Sequence, residues 1–223
     1  MGHLNKEQQE VLMNNWNSVL QPLIVRMGTN AIDDNMLAAF VQIAVSSFHR
    51  AQRVTSGGIF VLQALIAAVE HRIEPHISSF MEFLICSLRM QDSDEMSTRL
   101  SAGLISDISN SISEGFVQWM PQVMPLLQAI LNKENFDPEA KLVTIIAFGD
   151  MVLAAGPVNF VQYLQETQKA FFAASMMSIA KGSSPEEAEL LSKLRIALTE
   201  AYLSIMHGLY DLDSPQMVND HGR

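Results

Sequence analysis

The sequence predicts an all-α protein, an α-solenoid of HEAT-type helix pairs. Three observations predict it. Helical periodicity runs almost from end to end, with no convincing pair of strands. The breaks between periodic segments are short and polar. The helices recur in pairs whose starts lie about 40 residues apart, the period of a HEAT unit.

A first helix over 7–28 contains "EQQEVLMNNWNSVLQPLI" and stops near Gly28 in "MGTNAIDDN". It has the pattern of a second helix without its first. Four pairs follow, over 31–72, 75–112, 116–155 and 157–210. In the first, "DNMLAAFVQIAVSSF" is divided from "VLQALIAAVEHRI" by "RVTSGG", closing on Gly57 and Gly58. The second starts after Pro75 in "HRIEPH"; "ISSFMEFLICSLRM" and "RLSAGLISDISNSI" flank the turn "MQDSDEMS". In the third, "FVQWMPQVMPLLQAIL" leads to "NKENFDPEA". There Asp137 is a candidate N-cap, Pro138 suits the first helical position, and Glu139 follows. Gly156 then stops a helix and Pro157 starts the next, expected to be one long helix over 157–181. "KGSSPEEAE" supplies Ser184 as N-cap with Glu187 three residues on, a capping box with Pro185 inside it. Second helices are expected near 57–71, 96–112, 138–155 and 185–210, and 211–223 as a polar tail. The whole span 1–223 is expected to be one solenoid fragment, because neither end carries the polar cap of a terminal repeat.

The stretch "KLVTIIAFGDMVLAAG" raises a question of its own. Leu142, Ile146, Gly149 and Leu153 follow helical spacing, widened by Val143 and Ala147, so this stripe is expected to be buried. Asp150 stands within it, and a buried carboxylate needs a hydrogen bond or water. The repeat supplies an answer. Aligning the second helices places Asp107 on Asp150, 43 residues apart, with Glu200 at the same point and Ala68 in the repeat that lacks an acid. An acid recurring once per repeat forms a ladder on the inner, concave face of a solenoid. Its members can accept hydrogen bonds from the neighbouring unit or meet a basic ligand.

Composition narrows the function. The 223 residues are 48% hydrophobic and carry a formal charge of −10, with a pI near 4.9. Such a chain lacks the clustered lysine and arginine that a nucleic acid requires, so a basic protein or peptide is the expected partner. No apolar run is long enough to suggest a membrane span. Cys86 is the one cysteine; it excludes an intrachain disulfide, suits a reducing compartment, and is expected on a buried helix face. His71, Glu74 and His76 match no metal-binding spacing. "TSGG" lacks the lysine of a phosphate loop, and no nucleophile elbow is present. Neither metal, cofactor nor enzymatic activity is expected.

The order "GLISDI", "FVQWMPQVMPLLQAILN", "IIAFGDMVLAAG" with "YLQ" after it, then "KLRIALTEAYLSIMHGL", resembles the C-terminal half of the importin-β (karyopherin-β1) family over roughly residues 57–210. The resemblance implies a nuclear transport receptor that shuttles between cytoplasm and nucleus. It implies a concave face that wraps the arginine-rich importin-β-binding helix of importin-α, with Asp107, Asp150 and Glu200 contributing negative field. It implies an outer face that takes phenylalanine-glycine (FG) repeats of nucleoporins between neighbouring first helices. Phe116, Phe160, Tyr163 and Leu164 lie at or near the starts of those helices and are the candidates. Ran GTPase is expected to act mainly through repeats outside this segment. In one respect the sequence departs from the wider HEAT pattern. Many HEAT units carry a basic residue six positions after the acid; here Ser113 and Gly156 stand there, so backbone donors are the expected partners of the acids. The alternatives are a HEAT scaffold of another class, such as a different karyopherin or a phosphatase regulatory subunit, and a helical enzyme.

Overall fold

A computed structural model describes residues 19–28, 31–90, 94–134, 136–176 and 184–213, with the side chains of 208–213 excepted. Helix α1 is described over 19–27. It is followed by α2 (Asp34–Ala51), α3 (Ser56–Val69), α4 (Ser78–Arg89), α5 (Glu95–Ile112), α6 (Met120–Asn132), α7 (Pro138–Phe160), α8 (Leu164–Ser175) and α9 (Pro185–Asp213). No strand occurs among the described residues. Residues 7–18 and 214–223 lie outside them, and α9 runs three residues into the expected tail.

Two layers result. The second helices α3, α5, α7 and α9 pack side by side, each on the one before, and α2, α4, α6 and α8 form the layer behind them. Local chemistry fixes where each second helix begins. Thr55, Asp94, Asp137 and Ser184 each accept a backbone N–H of the first turn through a side-chain oxygen, at 3.3, 3.0, 3.0 and 3.2 Å. Glu187 returns the contact to the Ser184 N–H at 2.9 Å, completing the capping box. By contrast, α4, α6 and α8 have no side-chain N-cap. They are entered through tight 3-10 turns at Glu70–His76, Ser113–Trp119 and Val161–Tyr163.

Those turns share a device. Glu70 (φ 51), Ser113 (φ 47) and Gly156 (φ 73) all take positive φ, and they are spaced 43 residues apart. Each ends the regular path of a second helix and turns the chain toward the outer layer. Ser113 and Gly156 are thus the positions six after Asp107 and Asp150, where the backbone now needs a conformation rather than a basic side chain. Counting back six from Glu70 places Ala64 opposite the acids, so Ala64 replaces the expected Ala68. The expected helix over 157–181 is also divided. Residues 157–160 continue α7 across the Gly156 kink, a 3-10 turn follows, and α8 begins at Leu164; residues 177–181 lie outside the described residues.

The core between the layers is continuous. Phe48, Leu62, Phe80, Ile105, Phe116, Met124, Phe148, Phe160 and Phe171 are all buried within it. Phe171 joins three helices, meeting the rings of Phe148 at 5.6 Å and Tyr202 at 5.2 Å, both edge-on. Lys141 is 2% exposed and donates its ammonium to the Lys133 carbonyl at the end of α6. Burial holds its pKa below the ordinary lysine value, while Glu134 opposes the shift.

Three expectations change. Cys86 is exposed, because α4 turns Phe80, Met81, Leu84, Ile85 and Leu88 inward instead. On α7 the buried face is Thr144, Ile145, Phe148, Met151, Val152 and Ala155. Gly149 and Ala147 are buried, but Ile146 is 45% and Leu153 61% exposed. Leu142 and Val143 are half-buried against the core, so the expected stripe is divided, with Ile146 and Leu153 on the surface. Finally, Pro138–Ser175 is long and apolar enough to cross a bilayer by length and composition, where no such run was expected. Here α7 packs between α5 and α9, and Gly156 breaks the segment's axis.

Candidate functional site

The second-helix layer brings the recurring acids onto one side of the molecule. Asp107 on α5 is half-buried and accepts a hydrogen bond from the Gln63 amide of α3 at 2.9 Å. Burial pushes its carboxyl above the ordinary value of 3.8; the Gln63 bond opposes the shift and the charge of Asp150 adds to it. Asp150 on α7 accepts from the Ser106 hydroxyl of α5. The donors are therefore side chains of the preceding second helix, not backbone groups. The helical N–H groups at this depth already bond along their own helix. Glu200 behaves differently. It is exposed, and among the described residues its hydrogen bond to another side chain is through the backbone carbonyl, which accepts from Ser204 at 3.1 Å.

Arginine does meet aspartate between repeats, but at the helix starts. Arg53 approaches Asp94, the N-cap of α5, at 3.4 Å. Arg99 on α5 lies 3.9 Å from Asp137, the N-cap of α7, and pairs with Glu139. These cations occupy the ends of the groove rather than its floor.

Between α3 and α5 the inner side opens into a cleft of about 560 Å³, lined by Gln63, Ala67, Glu70, His71, Asp107 and Asn110, among others. Among the described residues no lysine or arginine lines it. Its shape follows from Ala67, too short to fill the space, and from Glu70 at the positive-φ turn. Over α7 and α9 the same face changes character. Ile146 and Leu153 flank Asp150 on α7, and Ile196 (55% exposed) and Leu203 (49%) flank Glu200 on α9. These four apolar residues were missed as site residues. Their spacing of four and three around an acid is legible in the sequence; on α7 it is the stripe expected in the core, and on α9 Ile196 and Leu203 carry no expectation.

On the outer side, Phe116 and Phe160 are 0% and 2% exposed. They seal the wall between helices and offer no surface to a ligand in this conformation. Tyr163 and Leu164 are half-buried. A second cleft, of about 270 Å³, lies where the end of α4 meets the α2–α3 turn, with Val54, Phe83, Cys86 and Met90 among its lining.

Known proteins share this architecture. The family model described as importin subunit beta-1-like, TPR repeats, matches residues 1–221. TPR and HEAT units are both antiparallel helix pairs; the 43-residue spacing of the turns here suits HEAT, since a TPR unit is about 34 residues. Importin subunit beta-1 of Saccharomyces cerevisiae is 28% identical over 152 residues, 68% of this chain and 17% of its own length. A crystal structure of importin beta in an ammonium sulfate condition superimposes with a TM-score of 0.82 at 20% identity, over 94% of this chain and 24% of that one. A Kap95:Nup1 complex gives 0.62 at 19%, over 94% and 28%. The chain thus spans about a sixth of that curated relative.

Proposed function

The chain belongs to the importin-β family, and from that premise we propose that it serves within a nuclear import receptor that shuttles between cytoplasm and nucleus. Its second-helix face binds the arginine-rich helix of importin-α or of a cargo. Its first-helix face meets nucleoporin FG repeats near Tyr163 and Leu164, the half-buried members of the outer-face set. Ran acts mainly through repeats beyond these residues. The observation that carries the inner-face reading is the α3/α5 cleft. Asp107 and Glu70 stand on its walls, and among the described residues no lysine or arginine lines it. Each carboxylate oxygen can accept more than one hydrogen bond, so Asp107 keeps acceptor capacity after Gln63 has bonded it. A guanidinium, with its planar fork of donors, matches such a group. Support for a nucleoporin partner comes from the Kap95:Nup1 complex, whose fold this chain shares.

Each exposed ion pair contributes about 1 kcal/mol or less, so affinity accumulates over many contacts. Titrating this chain into a labelled arginine-rich helix, followed by fluorescence anisotropy, tests the reading. Binding is expected at low salt and is expected to fade toward 1 M, where the Debye length is about 3 Å. Absence of binding at low salt by a chain with intact helical circular dichroism overturns it.

A further inference from the structure

We propose that the cleft at the end of α4 is a binding and modification site for a small apolar α,β-unsaturated carbonyl compound, which Cys86 captures by adding to its double bond. The cleft shares no residue with the surfaces assigned to transport, and the proposal does not rest on that reading.

Two repeats meet to build the cleft. One wall is the α2–α3 turn, where Gln52 takes a positive φ of 54° and Val54 is buried. The start of α5 closes one side, with the Ser97 hydroxyl donating to Asp94 at 2.6 Å and Arg53 reaching the same carboxylate at 3.4 Å. The other wall is one face of α4. Phe83, Cys86, Ser87 and Met90 stand at i, i+3, i+4 and i+7, a spacing that gathers side chains on one side of a helix, and all four line the cleft. The opposite face of α4 is the one that packs in the core. Phe83 is held in place, its ring meeting Phe48 at 5.6 Å and His49 edge-on at 4.8 Å.

Packing accounts for neither of two polar groups on this apolar wall. The Cys86 thiol is exposed and is the one thiol in the sequence. Ser87 is 9% exposed, yet its hydroxyl makes no hydrogen bond among the described residues. Nearby hydroxyls are all engaged. Ser97 donates to Asp94, Ser47 donates to the Ala44 carbonyl, and Thr98 donates to the Asp94 carbonyl at 2.9 Å and the Ser87 carbonyl at 3.3 Å. A buried hydroxyl without a partner costs free energy. An acceptor brought into the cleft ends that cost.

Volume and chemistry select the ligand. An engineered apolar cavity of about 150 Å³ holds benzene, so a cleft of about 270 Å³ suits a molecule of about ten non-hydrogen atoms. A long fatty-acyl chain is too large. A tripeptide thiol such as glutathione is also too large, and its carboxylates would meet an apolar wall. A carbonyl conjugated to a carbon–carbon double bond, on a short alkyl chain, matches each feature. The chain lies on Val54, Phe83 and Met90, and the carbonyl oxygen accepts from Ser87. Successive residues turn by about 100° around a helix, so Cys86 and Ser87 reach such a ligand from either side of the Phe83–Met90 ridge. The thiolate is the attacking form. Its sulfur bonds to the β-carbon, and the double-bond electron pair moves onto the carbonyl oxygen as an enolate that the Ser87 hydroxyl holds. The proton that left the thiol ends on the α-carbon. No group leaves, and nothing is oxidised or reduced.

Pentyl vinyl ketone and methyl vinyl ketone test the site, because they share one reacting group and differ only in the alkyl tail. Adduct formation on the whole chain is followed by intact mass spectrometry, and peptide mapping locates the adduct. Each rate is divided by the rate with free N-acetylcysteine. The resulting ratio is expected to be about tenfold larger for the pentyl ketone, with the adduct on Cys86. Met90→Gln, which alters an exposed residue, is expected to remove most of that advantage. Ser87→Ala is expected to slow the pentyl ketone about tenfold, the worth of one hydrogen bond. It is expected to leave alkylation by iodoacetamide unchanged, since that reagent reacts by displacement and forms no enolate. Equal ratios for the two ketones overturn the site, as does an adduct on lysine or histidine in place of Cys86. A Ser87→Ala chain that reacts with the pentyl ketone as fast as wild type, or that slows with both reagents alike, overturns the assignment of the hydroxyl.

Discussion

The α5/α7 and α7/α9 interfaces use the same repeat positions and hold together by different means. Gln63, Ser106 and Gly149 follow one another at 43-residue intervals on α3, α5 and α7. Gln63 donates to Asp107 on the next helix and Ser106 to Asp150. Gly149 has no side chain to donate, and there α9 comes against α7 backbone instead. Its acid, Glu200, stays in water. The difference teaches what an acid at the repeat period does. Where the preceding helix offers a donor, the acid ties two repeats together. Where it offers glycine, the helices close up and the acid remains free for the groove.

The largest effect should come from undoing the close approach. In Gly149→Gln the new Cβ already lies in contact with Ala201 and Ser204, and the longer side chain is expected to push α9 away. Overpacking of this kind costs about 1–3 kcal/mol, a fall in melting temperature of about 2–4 °C per kcal/mol for a chain this size. A neutral result would mean that α7 and α9 do not depend on contact here, and the contrast with α5/α7 would disappear.

Removing the acids grades the comparison. Asp150→Ala strands the Ser106 hydroxyl on a residue 7% exposed, and is expected to cost about 2 kcal/mol. Asp107→Ala is expected to cost about 1 kcal/mol, because the half-buried Gln63 amide can turn to water. Glu200→Ala should stay within about 0.5 kcal/mol. Denaturant unfolding of the three variants reads the order; an equal loss at Glu200 would show that it is a structural member after all.

The positive-φ turns provide a smaller contrast. Ser113 carries backbone strain that Gly156 avoids, and a Cβ at Gly156 would meet nothing within 4 Å. Ser113→Gly is therefore expected to stabilise by about 0.5–1 kcal/mol, and Gly156→Ser to destabilise by about 1–2 kcal/mol through backbone conformation alone. Thermal melts of the two single variants should move in opposite directions.

Much of this was legible in the sequence because its causes are local. Ser184 with Glu187, and Asp137 before Pro138, announce helix starts through chemistry contained within four residues. The acid period was legible for the same reason. The partners were not, because Gln63 and Ser106 meet the acids only through packing, 44 residues away. The α7 stripe misled for a physical reason. Helical spacing shows that Ile146 and Leu153 share a face with Leu142, but not which face meets the outer layer. In a helix packed on several sides, hydrophobicity is too evenly spread to decide. Cys86 misled for another reason: α4 has one clear buried face, Phe80, Met81, Leu84, Ile85 and Leu88, and Cys86 falls outside it. At the outer surface, Phe116 and Phe160 were placed near helix starts, but the local turns that carry them inward leave little periodic trace.

The smallest expected effect is a dependence on pH, and it separates Asp107 from Glu200 without altering packing. Burial raises the folded-state pKa of Asp107 above its ordinary value of 3.8. The folded chain then binds this proton more tightly than the unfolded chain does. Protonation favours folding, so the contribution is complete below the unfolded value near 3.8 and is lost as pH rises through the higher folded value. Asp107→Asn keeps the shape and removes the titration. The stability of the wild-type chain minus that of Asp107→Asn should therefore fall as pH rises through this window and level off above it. The size of the fall reads how far the folded-state carboxyl is raised, a tenfold change in proton affinity being worth about 1.4 kcal/mol. Taking the difference cancels the carboxylates distant from Asp107; Asp150, whose charge acts on Asp107, is the neighbour that does not cancel. A flat difference would mean that Asp107 is as well solvated folded as unfolded. Gln63 would then bond an acid that stands in water, and Asp107 would join Glu200 as a group the groove alone uses.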